Sequence, residues 1–136
     1  MPRAHRVERL QREILRELSM VLLRGISDPR VARVTLTRVT LAPDLSSAKV
    51  FYTAPTEVKT RRRIASGLRH AHGFIQQALG DRLFMRSIPA VTFEIDAEME
   101  RTERMNQMLT DLARERRARG GAEEGAAGMA APGEEE

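Results

Sequence analysis

An α+β domain, with a small mixed three-stranded sheet and helices packed on one face, is the architecture this sequence predicts. Three observations predict it. Apolar residues recur at helical spacing in some stretches and alternate with polar residues in others. The resulting order is helix, strand, strand, helix, kink, helix, strand. Only the first two strands are joined by a connection short enough for a hairpin, because two helices intervene before the third.

Residues 4–24 form the first predicted helix. Val7, Leu10, Ile14, Leu18, Val21 and Leu22 fall in one arc, and Arg6, Arg9, Arg12 and Arg16 in the opposite one. Gly25 suits the end of that helix, and Asp28-Pro29 continues the turn. Val31 to Leu41 alternates as a strand, but its apolar parity changes between Val34/Leu36 and Val39/Leu41. A bulge near Thr37-Arg38 reconciles the two halves. After the turn Ala42–Ser46, a second strand runs from Ser47 to Thr53, with Ala48, Val50 and Tyr52 inward and Lys49 and Phe51 outward.

The second helix covers 57–70 and buries Val58, Ile64, Ala65 and Leu68. Gly73 interrupts the pattern, implying a kink or a close backbone approach. A third helix then carries Phe74, Ile75, Ala78 and Leu79 to a terminal Gly80. Val91, Phe93 and Ile95 mark the last strand. Met105, Met108, Leu109 and Leu112 suggest a short, marginal helix over 98–117. From Gly120 the composition cannot build a core and predicts disorder.

Charge narrows the function. All 23 basic residues, 21 of them arginine, lie in 1–119 with only 14 acids, giving that part +9; residues 120–136 carry −5. A basic domain implies a polyanionic partner, most often nucleic acid. The chain has no cysteine, which excludes a disulfide framework and thiol catalysis. No apolar run approaches the roughly 20 residues of a membrane span, and no signal-peptide pattern follows Met1, so a cytoplasmic protein is expected.

Enzymatic signatures are missing. His5, His70 and His72 have no further residues at metal-ligand spacing, so no metal is expected. Neither a phosphate-binding glycine loop nor a nucleophile elbow occurs. Asp96, Glu98, Glu100 and Glu103 read as a solvated acidic helix start, not as a catalytic carboxylate cluster. A non-enzymatic protein without cofactors is expected.

Nucleic-acid binding fits better. Backbone phosphates require distributed positive charge, offered by Arg6, Arg9, Arg12 and Arg16 on the first helix, by Arg61, Arg62 and Arg63, and by Arg69, Arg82 and Arg86. Of the five aromatics, Tyr52, Phe74 and Phe93 are assigned to the core. Phe51 is assigned to an edge or lid contact in preference to base stacking. Binding is therefore expected to lean on charge and shape. A nonspecific DNA-binding or nucleoid protein, and an adaptor for an acidic protein, are the rival readings.

The element order is similar to the type II KH arrangement, but Ala71-His72-Gly73 stands where a G-x-x-G loop is usual. With it go Arg3-x-x-Arg6-Val7, Asp28-Pro29-Arg30-Val31, the hairpin segment Val39–Val50 and the segment Arg86–Asp96. In these the chain resembles the bacterial ribosome-binding factor A family over residues 3–112. The resemblance implies a cytoplasmic, non-enzymatic assembly factor that binds the free small ribosomal subunit; a monomer is expected. It further implies contacts with 16S rRNA near its 5′-terminal helix and the decoding region, support of late rRNA processing and cold adaptation, and release by a GTPase. The expected organisation is a KH-like RNA-binding domain over 1–97, a basic amphipathic extension over 98–119 and a disordered acidic tail over 120–136. The expected RNA-binding set is Arg3, Arg6, Arg9, Arg12, Arg16, Lys49, Arg61, Arg62, Arg63, Arg69, Ala71, His72, Gly73, Arg82 and Arg86.

Overall fold

A computed structural model of the chain describes residues 3–127. Helix α1 (Arg3–Met20) buries Ile14 and Leu18 completely and passes into one π-helical turn, Val21–Gly25. The wider turn keeps Val21 and Leu22 buried while leaving Leu23 exposed.

Pro29–Val31 is a short 3-10 turn, not the beginning of a strand. Proline at the first position presets its backbone. Asp28 caps it, with Oδ1 accepting the Arg30 amide at 2.9 Å and Oδ2 accepting Arg30 Nη2 at 2.6 Å. These bonds from Arg30, side chain first and amide second, lower the Asp28 carboxyl from 3.8 to about 2. A carboxyl depressed by folding stabilises the folded state above its ordinary value, and the stabilisation fades as pH falls through the folded value. The stability difference between the wild type and Asp28→Asn is therefore constant above 3.8 and shrinks toward pH 2. Urea unfolding across that range measures it.

Strand β1 (Thr35–Leu41) pairs antiparallel with β2 (Ser47–Thr53). The expected bulge is present: Leu36 faces Tyr52, and the next paired residue is Arg38, opposite Phe51. Thr37 is the extra residue. In the hairpin turn Leu45 adopts a φ of 63°, and Asp44 Oδ1 accepts the Ser46 hydroxyl at 2.7 Å and amide at 3.1 Å.

Helices α2 (Val58–His70) and α3 (His72–Arg82) follow, meeting at Ala71. Three details differ from the expectation. Val58 is exposed, because it lies in the first turn of α2, before the buried Ile64 and Leu68. Phe74 is about half exposed, its ring edge resting near Gly25. Gly80 does not end α3, which continues to Arg82 before Leu83 turns to extended backbone.

Strand β3 (Ala90–Ile95) pairs parallel with β2, Val50 opposite Phe93, giving the order β1-β2-β3. Ile14, Leu18, Val39, Val50, Ile64, Ile75, Leu79 and Val91 anchor the core between the sheet and α1–α3. A core of this kind is held mainly by removal of apolar surface from water.

Side-chain amides occupy a position at each margin of the sheet. Gln11 Oε1 accepts the Leu41 amide at 3.0 Å. On the other side Gln76 donates to the Pro89 carbonyl at 2.6 Å and accepts the Val91 amide at 3.0 Å.

The chain divides into two compact units between Asp96 and Ala97. The second unit contains α4 (Ala97–Ala127), far longer than the expected helix over 98–117. It passes through Gly120 and Gly121 to Ala127, so residues 120–127 depart from the expected disordered tail. Ala122, Glu123, Glu124, Ala126 and Ala127 are good helix formers, and extending an existing helix needs no new nucleus. The tail expectation over 128–136 lies outside the described residues. Met105, Met108, Leu109 and Leu112 are exposed. Among the described residues no helix is long and apolar enough to cross a membrane.

Candidate nucleic-acid interface

Burial of Ile14 and Leu18 fixes the rotation of α1 and turns Arg6, Arg9, Arg12 and Arg16 outward, all four exposed. Two contacts extend this stripe. Glu17 Oε2 lies 3.8 Å from Arg16 Nη2, and Glu17 Oε1 accepts Arg82 Nη1 at 3.1 Å. Glu17 therefore places the C-terminal end of α3 beside the arginine face of α1. Arg3 begins α1, and Arg86 is exposed in the segment between α3 and β3.

The triplet on α2 separates into two kinds of residue. Arg61 donates from Nε to the Pro55 carbonyl at 2.8 Å and from Nη2 to the Ala54 carbonyl at 3.2 Å. It fastens the connection from β2 to α2, a structural duty invisible in a run of three arginines. Arg62 and Arg63 are exposed. Arg63 shares a cleft of about 210 Å³ with Arg30 and Arg33. Sequence spacing gives no sign of this grouping, since Arg30 and Arg33 are separated from Arg63 by 30 or more positions in the chain.

A groove of about 560 Å³ lies where α2, the α2–α3 junction and β3 meet, lined by Arg69, His72, Leu68, Thr92 and Phe93 among others. His72 Nε2 donates to the Val91 carbonyl at 2.9 Å, which orients the ring along the edge of β3. In the parallel ladder Ala90 and Asp96 donate toward β2, so Val91, Phe93 and Ile95 direct their backbone groups away from it. Val91 is held by Gln76 and His72, and Phe93 follows on the same side within the groove.

Gly73 does not carry the junction. Ala71, with φ −87° and ψ 0°, makes the break between α2 and α3, while Gly73 lies inside α3. A Cβ built on Gly73 meets nothing within 4 Å. Gly73→Ala is expected to stabilise the protein by about 0.5–1 kcal/mol, since alanine loses less backbone freedom in a helix. Urea unfolding of the single variant checks this.

On the opposite face of the sheet, Lys49 Nζ lies 3.5 Å from Glu94 Oε2. The Arg38 guanidinium covers the Phe51 ring at 3.9 Å from its centroid. Phe51 is thus half-buried beneath a cation. Asp96 overturns its assignment as part of a solvated acidic start. It is 1% exposed, accepting Thr37 Oγ1 at 2.6 Å and Arg38 Nε at 3.2 Å. Its carboxylate fastens the bulge of β1 to the end of β3, a pairing that sequence spacing does not reveal. Among the described residues no three His, Cys, Asp or Glu side chains gather as a metal site.

Comparison with known proteins adds several likenesses. The family model described as ribosome-binding factor A matches residues 6–109. Ribosome-binding factor A of Streptococcus mutans is 41% identical over 109 residues, covering 79% of this chain and 94% of that protein. The crystal structure of ribosome-binding factor A from Thermus thermophilus is 26% identical, with a TM-score of 0.58 over 65% of this chain and 93% of that one. A homology model of the Thermus protein, as fitted into the cryo-electron-microscopy map of its complex with the 30S subunit, is similar with a TM-score of 0.53 and 26% identity, covering 65% of this chain and 92% of that one.

Proposed function

Because this chain belongs to the ribosome-binding factor A family, we propose that it is a non-enzymatic assembly factor that binds the free small ribosomal subunit through structured rRNA. The observation that carries the reading is the outward arginine face of α1, set opposite its buried face and joined through Glu17 to Arg82. Distributed cations of this kind neutralise phosphates without requiring a particular base. A relative in the family has been fitted into a map of a 30S complex, which supports the same partner here.

In this reading residues 1–97 form the binding domain. Arg3, Arg6, Arg9, Arg12, Arg16, Arg82 and Arg86 supply one contact zone. Arg62, Arg63, Arg69, Ala71, His72 and Gly73 supply a second, with the groove beside β3 receiving RNA. Lys49 and Arg61 belong to the proposed set as well, although each has a partner within the chain. Residues 98–119 are a basic extension of that domain, and the acidic residues beyond them compete weakly with RNA for the basic surface. The protein acts as a cytoplasmic monomer, contacts 16S rRNA near the 5′-terminal helix and the decoding region, supports late rRNA processing and growth in the cold, and is released by a GTPase.

Sedimentation of the tagged full chain with ribosomal fractions tests the reading. The expected result is co-migration with free small subunits in preference to duplex DNA at equal salt. Equal affinity for duplex DNA would replace it with nonspecific nucleic-acid binding. Association that survives nuclease treatment would replace it with a protein partner.

A further inference from the structure

Phe84 is the most exposed large apolar side chain of the described residues, with a relative exposure of 101%. It lies two residues beyond the end of α3, and the preceding residue, Leu83, is buried. The chain is therefore anchored immediately before the ring and presents it outward. Arg82 and Arg86 stand two positions away on either side, and both are exposed. A fully exposed phenylalanine gains nothing for folding from its ring, although the same ring buried would stabilise the fold substantially.

Its place in the chain, two residues after Arg82, is what gives the ring a use. Glu17 contacts both Arg16 and Arg82, so the cations of α1 lead to Arg82 at the C-terminal end of α3, two residues before the exposed Phe84. A track of cations that follows a phosphate backbone, ending at an exposed aromatic ring, is the arrangement by which proteins hold single-stranded nucleic acid. The cations take the phosphates, and the ring takes the face of an unpaired base.

We propose that Phe84 is a base-stacking residue that receives an unpaired rRNA base at the end of the track formed by Arg6, Arg9, Arg12, Arg16 and Arg82. The proposal rests on the small-subunit reading above and deepens it: the protein recognises a junction where a phosphate backbone on α1 leads into an unstacked nucleotide. Binding then includes a stacking component, in addition to the charge and shape that the sequence suggested.

The test uses the full chain and purified small ribosomal subunits. Phe84→Ala should bind at least about fivefold more weakly, because loss of one base–aromatic stack costs about 1–3 kcal/mol, or roughly 5- to 150-fold. Its salt slope should match the wild type, since no cation is removed. Its thermal unfolding should be unchanged, because the ring is exposed. Phe84→Leu should bind as weakly as Phe84→Ala, and Phe84→Trp should retain wild-type affinity. The chain has no tryptophan of its own, so after subtraction of the signal of the subunits alone, indole fluorescence from the Phe84→Trp variant reports this position and should be quenched on binding. Wild-type affinity in Phe84→Ala would overturn the proposal, as would an unquenched Phe84→Trp at saturation. Full affinity in Phe84→Leu would assign the residue to an apolar pocket of a ribosomal protein instead. Failure of the wild type to bind small subunits at all would refute the underlying reading, a result distinct from each of these.

Discussion

If the proposed reading holds, replacing Arg6, Arg9, Arg12 and Arg16 together with glutamine is expected to weaken small-subunit binding by roughly two to three orders of magnitude near physiological salt, while the protein stays folded. Each phosphate contact that is lost removes about 0.7–0.9 from the slope of log K against log salt, so the four together flatten it by roughly 3. The core is spared because Ile14 and Leu18 face the other way. Exposed substitutions of this kind change stability by about 0.5 kcal/mol or less each. Affinity measured across a salt series, with circular dichroism as the folding control, checks both parts. An unchanged slope in a folded variant would move the interface to Arg62, Arg63 and Arg69.

Gly67→Val is expected to have its large effect on stability instead of on binding. A Cβ at Gly67 would lie 2.9 Å from Arg30 Cβ and 3.1 Å from Val31 Cγ1. Arg30 Cβ is fixed to the backbone of the 3-10 turn, so it cannot swing aside as the end of a long side chain would. Separating α2 from the turn also strains the bond from Arg30 Nη1 to Ser66 Oγ, 3.3 Å long. Overpacking of this sort costs about 1–3 kcal/mol, and valine's extra methyl groups place the variant near the upper end of that range. Urea unfolding measures the loss. Gly67 and Gly73 are both helical glycines, yet their substitutions are expected to have opposite signs. Only the space around each distinguishes them.

That contrast also marks how far the sequence could be read. Gly73 stands out because it interrupts a periodic pattern, but the local turn is made at Ala71. Gly67 sits inside an ordinary helical run, and its tight contact comes from Arg30, 37 positions earlier. Periodicity reports which face of an element is apolar, so the strands, the bulge at Thr37 and the outward arginines of α1 could be derived from it. It carries no information about which distant groups meet. The burial of Asp96, the fastening role of Arg61 and the company of Arg63 with Arg30 and Arg33 all depend on such meetings. Phe84 is illegible for a different reason: an isolated aromatic in a connecting segment has no pattern from which exposure can be inferred.

The glutamines at the sheet margins have a consequence for the protein's behaviour in a crowded solution. A sheet of three strands has two margins, and an unsatisfied margin is a template on which a neighbouring chain can lay a strand. Gln11 occupies the Leu41 amide on one side, and Gln76 occupies Pro89 and Val91 on the other. A foreign strand arriving at either place must first displace an amide already bonded at 3.0 Å or less. Growth of the sheet from one molecule into the next is thereby blocked at its first step at these positions. The protection these positions offer comes from neutral side chains and takes no arginine from the exposed face of α1.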